Sequence, residues 1–116
     1  MTSIPDSGPR RIVVGVDTHK YAHVAVAIDQ LGTRLGEITI SVDRAGYEQL
    51  EQWAARHGEK ISFGIEGSGS YGAGLASFLR RRGYRVIEVN RPDRRIRHLH
   101  GKNDPLDAES AGRAVL

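Results

Sequence analysis

The sequence predicts an α/β domain built on a mixed sheet of five strands with helices on its faces, and three features of the pattern predict it. Three apolar, β-branched stretches follow one another at hairpin distance between residues 11 and 42, the signature of an antiparallel meander. Beyond residue 43 helical and strand spacing alternate, which implies parallel crossovers. Two of the apolar strands end in a carboxylate, each with a glycine two residues earlier.

Taken in order, residues 1–10 hold two prolines and a glycine without periodicity and read as a flexible lead-in to one domain over 11–116. Arg11–Asp17 (RIVVGVD) is the first strand and His23–Ile28 (HVAVAI) the second. Asp29-Gln30-Leu31-Gly32 marks a turn, and Leu35–Val42 (LGEITISV) is the third strand. Asp43 is placed to cap a helix whose apolar face carries Tyr47, Leu50, Trp53 and Ala54, with Trp53 in the core and Gly58 ending it. Ile61–Glu66 (ISFGIE) is the fourth strand, Tyr71–Arg82 an amphipathic helix closed by Gly83, and Arg85–Val89 (RVIEV) the fifth strand. Pro92–His100 suggests a short basic helix. Asp104–Leu116 suggests a helix that stops in mid-pattern, so the chain reads as a domain truncated from a longer protein.

Composition narrows the function. The 116 residues contain no cysteine, which excludes disulfides, thiolate zinc sites and a cysteine nucleophile and agrees with a reducing compartment. The longest apolar run, Ile12–Val16, is far short of the roughly 20 residues of a spanning helix, and the first residues lack the apolar core of a signal peptide. A cytoplasmic protein without a membrane partner is expected. Net charge is only +3, yet residues 80–102 hold nine Lys and Arg against two acids, leaving an acidic remainder. Such a division suits nucleic-acid phosphates on one side and a carboxylate centre on the other. Chance surface charge has the same appearance.

Alternation places Val13, Gly15 and Asp17 on one face of the first strand, and Ser62, Gly64 and Glu66 on one face of the fourth. If these strands are parallel neighbours, both acids point into the cleft beyond the carboxyl edge, where α/β proteins place ligands. Asp104 and Asp107, three apart, share one helical face. Four convergent carboxylates call for a cation, and oxygen ligation suits Mg²⁺ or Mn²⁺, which activate water and stabilise a leaving oxygen in phosphodiester cleavage. Each acid has a plainer account. A strand-end acid is often a loop residue, and in Asp104-Pro105-Leu106-Asp107 helix capping alone explains the tetrapeptide.

Three motifs, VGVD17THK20, GIE66GSGSY71 and K102ND104PLD107A, together resemble the N-terminal domain of DEDD-type insertion-sequence transposases, the insertion sequence 110 family. The resemblance runs from Ile12 to the last residue, with Asn103 where Ser or Thr is expected. It implies a RuvC-like, ribonuclease H-like fold. It also implies that Asp17, Glu66, Asp104 and Asp107 form a catalytic tetrad binding Mg²⁺ (or Mn²⁺) at the site of DNA strand cleavage and exchange. The implied partners are DNA, a bridging guide RNA and, in the full-length protein, further copies of the chain. Family members carry a coiled coil and a C-terminal domain with a nucleophilic serine. Neither is present here, and Ser68 and Ser70 do not take that role.

Two other readings compete. Gly67-Ser-Gly69-Ser-Tyr-Gly72 matches a dinucleotide (NADP) fingerprint after a strand and before a helix, with Glu88 beyond it. Against it, Glu66 sets a negative charge beside the expected pyrophosphate, and Asp17 and the DPLD segment go unexplained. The strand bearing Asp17 is also similar to the first phosphate-binding segment of sugar kinases, whose second phosphate motif is missing. The second competitor is a non-catalytic nucleic-acid-binding module in which Arg91, Arg94, Arg95, Arg97 and Lys102 track a phosphate backbone, with His98 and His100 adding weak charge. For any one of these arginines a solvated helix face is an equal account. Lys20 is the best single basic candidate near the acids, suited to neutralise a scissile phosphate; the alternative is an ordinary surface lysine.

Overall fold

A computed structural model describes residues 10–89 and 104–116, with the side chains of 104–107 outside the description. Strands β1 (Arg11–Thr18), β2 (Ala22–Asp29), β3 (Arg34–Ser41), β4 (Lys60–Glu66) and β5 (Arg85–Val89) form one sheet in the order β3-β2-β1-β4-β5. The helices are α1 (Arg44–Ala55), α2 (Ala73–Arg81) and α3 (Asp104–Arg113). β1 pairs antiparallel with β2 and parallel with β4, β2 pairs antiparallel with β3, and β4 pairs parallel with β5. The mixed five-stranded sheet expected from the pattern and from the ribonuclease H-like resemblance is the one observed.

Alternation divides the sheet into two apolar faces. Ile12, Val14 and Val16 of β1, Ala25 and Ala27 of β2, and Phe63 and Ile65 of β4 pack under Leu50 and Ala54 of α1 and Leu75, Ala76 and Leu79 of α2. Each large side chain so buried contributes roughly 1.5–3 kcal/mol relative to exposure. On the opposite face Val24, Val26 and Ile28 of β2 cluster with Ala108 of α3. A two-faced core explains why β1 and β2 are almost wholly buried along their length.

Asp43 caps α1 as expected: its carboxylate accepts from the Gly46 amide and the Ser41 hydroxyl, both at 2.8 Å, and these bonds hold its pKa below the usual value. Gly58 does not end that helix. The helix closes at Arg56 in right-handed geometry, and Gly58 is instead needed where β1 begins, since a Cβ there would lie 2.8 Å from the Arg10 carbonyl oxygen. Trp53 packs against the edge of the core and meets His57 edge-on at 4.8 Å, so it is half-buried rather than central. The second helix is shorter than its amphipathic pattern suggests. It starts at Ala73, because residues 67–72 form turns held by the Ser70 and Gly72 amides donating to the Gly67 carbonyl. Gly83 ends it at φ +90°, as expected. The expected basic helix Pro92–His100 lies outside the described residues.

The direction of α3 follows from its contacts. Arg113 donates to the Gly32 carbonyl (2.9 Å) in the β2–β3 turn, which sits beside the start of β1 because Ile12 pairs with Asp29. Ala108 and Gly112 lie over Gly15. The helix therefore runs antiparallel to β1, and its first turn, beginning at Asp104, is directed to the carboxyl edge of the sheet.

Candidate metal centre at the carboxyl edge

Asp17 and Glu66 are register partners at the ends of the parallel strands β1 and β4, whose spacing is about 4.8 Å. Both side chains are buried, 1% and 5% exposed, on the face covered by α3. Ionised carboxylates brought close together away from water repel, and a cation between them relieves the repulsion. The donor set, carboxylate oxygens, fits a hard divalent ion such as Mg²⁺ or Mn²⁺. The strand ends are tied together where the Thr18 hydroxyl donates to the Glu66 carbonyl at 2.7 Å. Directly after it Gly67 turns the chain at φ +80°, where a Cβ would stand 2.7 Å from the same hydroxyl oxygen.

The glycines two residues before each acid have a packing reason. A Cβ on Gly15 would collide with the Ala108 carbonyl and the Gly112 amide, and one on Gly64 would lie 2.9 Å from the Ala111 carbonyl. The backbone of α3 thus lies directly on β1 and β4. From Gly15 to Asp17 the strand advances about 6.6 Å, and from Ala108 back to Asp104 the helix advances about 6 Å. The start of α3 is in this way level with the carboxylates.

His19 is a functional candidate that sequence reasoning passed over. Its Nε2 donates to Asp17 Oδ2 at 2.8 Å, and the ring is partly exposed above a buried carboxylate. The signal was present: residue 19 stands two after residue 17, on the same face of an extended chain. The His19 amide donates to the Ala22 carbonyl (3.1 Å) and to His23 Nδ1 (3.3 Å). His23 is fully buried on the α1–α2 side, and burial lowers its pKa from the ordinary value, so its ring is neutral. Lys20, exposed in the β1–β2 turn, holds its ammonium 5.3 Å from the centroid of the Tyr21 ring.

Of the four expected acids, the structure brings Asp17 and Glu66 together. Asp104 and Asp107 are carried by the first turn of α3, and their side chains lie outside the description. Arg91, Arg94, Arg95, Arg97 and Lys102 also lie outside the described residues. Among the described residues no group of three or more metal-ligating side chains is gathered. A cavity lined by Arg11, Lys60, Arg85 and Val115 opens at the opposite, amino edge of the strands, remote from the acids. The glycine-rich loop is poorly arranged for a pyrophosphate, because the Ser70 and Gly72 amides that would face it are used by the Gly67 carbonyl. No described helix is long and apolar enough to cross a membrane.

Comparison with known families matches residues 14–116 to the DEDD transposases of insertion sequence 110, described as transposase. No curated protein matches the chain.

Proposed function

The chain belongs to the DEDD transposase family of insertion sequence 110, and from that premise we propose that it is the tetrad-bearing domain performing metal-dependent DNA strand cleavage and exchange. The observation carrying this reading is the pairing of Asp17 with Glu66, two buried carboxylates in register at the edge toward which the first turn of α3, the turn of Asp104 and Asp107 in the sequence, is directed. These four acids would hold Mg²⁺ or Mn²⁺, which when bound polarises the phosphodiester and lowers the pKa of water. His19 orients the Asp17 carboxylate by occupying Oδ2. Thr18 fixes the end of β4 against β1, so the two carboxylates keep their relative height. Lys20 stands at the same edge to neutralise a phosphate, and the basic segment 80–102 supplies counter-charge for a DNA or guide RNA backbone. A bridging guide RNA and further copies of the chain are the partners this reading implies.

Calorimetric titration of the chain with Mn²⁺ and Mg²⁺, in the presence of a short DNA duplex whose phosphates complete the ion's shell, tests the reading. Binding that is lost in Asp17→Asn and Glu66→Gln is the expected result. Ion binding unaffected by either substitution removes the assignment. Heat on adding NADPH without any metal response hands the glycine-rich loop to the dinucleotide reading.

A further inference from the structure

Four large apolar side chains are exposed among the described residues, and two of them are tyrosines in the loops that follow the two paired carboxylates. Tyr21, 78% exposed, is in the β1–β2 turn just beyond Asp17; Tyr71, 53% exposed, is in the β4–α2 loop just beyond Glu66. The other two, Leu31 and Leu116, belong to the opposite end of the sheet. Tyrosines serving the fold look different here. Tyr84 is half-buried and donates to Glu51 at 2.9 Å, and Tyr47 packs on Phe78 with centroids 5.7 Å apart.

The two loops are pinned against each other. Cβ atoms on Gly67 and Gly72 would lie 2.7 Å and 2.9 Å from Thr18, at the base of the β1–β2 turn. Those glycines are demanded by the packing. Gly69, between them, is not: its φ is not positive, and a Cβ there would meet nothing within 4 Å. Gly69 is exposed and has neither a conformational nor a packing need for glycine, so the loop two residues before Tyr71 is open to solvent. Lys20, with its ammonium 5.3 Å from the Tyr21 centroid, adds positive charge next to that ring.

We propose that Tyr21 and Tyr71 form a stacking platform that takes unpaired bases of a single nucleic-acid strand at the carboxylate edge, with Lys20 on the adjoining phosphate. This rests on the reading of that edge as a nucleic-acid-processing centre. An exposed phenol ring offers a π-face to any base, while duplex bases are already stacked on one another, so the platform selects unpaired strand without selecting sequence. Lys20 supplies a phosphate contact that an aromatic pair alone lacks.

The test is fluorescence anisotropy with the purified chain and three labelled strands of equal length: oligo(dT), oligo(U) and an abasic DNA strand with the same phosphates. Wild type is expected to bind a base-bearing strand at least about fivefold tighter than the abasic one. Tyr21→Ala and Tyr71→Ala should each shrink that ratio without changing abasic affinity, and Tyr21→Phe and Tyr71→Phe should keep it. Preference for oligo(dT) assigns the platform to a DNA strand, and preference for oligo(U) to RNA. Equal binding of base-bearing and abasic strands overturns the platform while leaving the nucleic-acid reading in place. Failure to bind any strand at low salt removes that reading and the platform with it.

Discussion

Asp17 and Glu66 face each other across the parallel β1–β4 pair, and Gly15 and Gly64 do the same two residues earlier. A side-chain period of two puts all four on one face of the sheet. The missing Cβ atoms let the backbone of α3 rest on the strands, and a helix seated so closely carries its first turn to the level of the acids. The glycines and the carboxylates are thus parts of one arrangement, in which helix docking sets the level of the first turn of α3.

Gly15→Ala tests that coupling by its sign. In an open strand alanine is favoured over glycine by roughly 0.5–1 kcal/mol. Here the added methyl meets the Ala108 carbonyl and the Gly112 amide, both backbone, so the variant is expected to lose about 1–3 kcal/mol in urea unfolding. Gly69→Ala, with open space around it and no positive φ, should unfold at or slightly above the wild-type midpoint. A stabilised Gly15→Ala would show that α3 does not sit on β1.

The strands, the opening meander and the adjacency of the strands bearing Asp17 and Glu66 were legible because β-branched runs, alternation and hairpin spacing leave few topologies open. The ends of helices were less so. Gly58 has the position of a cap and serves the start of β1 instead, a contact between distant segments that no local pattern encodes. Tyr71 continues the helical spacing of α2, yet the Gly67 carbonyl holds its loop in turns until Ala73. The glycines preceding the acids were visible as a repeat, but their meaning needed α3 in place. His19 was hidden by its company, since the neighbouring acid and lysine drew the chemical argument.

Stability should fall as the solution is acidified below about pH 6.5, and His23 gives the sign. Burial lowers its pKa in the folded chain, with His19 acting in the same direction, while the Ala22 carbonyl and Asp17 oppose. Below the ordinary value the unfolded chain binds a proton that the folded chain refuses, so unfolding is favoured until the folded value is passed. The thermal midpoint, followed from pH 8 to pH 5, should be level at first and then drop. His23→Gln should flatten the drop in part; the rest belongs to His57, whose pKa is also lowered, first by burial and then by Arg10 and Arg56. An unchanged profile in His23→Gln would dismiss His23 as the cause.

His19 is expected to act on the metal through Asp17. Its Nε2 holds Oδ2 at 2.8 Å, which restricts the orientation of the carboxylate. Groups that hydrogen-bond a ligating carboxylate typically govern metal affinity by about 10- to 100-fold. His19→Ala should therefore weaken Mn²⁺ binding by about that factor in calorimetry. The urea midpoint should stay near wild type, since the ring is partly exposed and packs in neither core cluster. His19→Gln, whose amide can donate to the same oxygen, should recover part of the affinity. That recovery separates orientation of Asp17 from simple filling of space, because a leucine at the same position fills the volume and offers no donor. Equal Mn²⁺ affinity in wild type, the alanine variant and the glutamine variant would mean that Asp17 is held by the sheet alone.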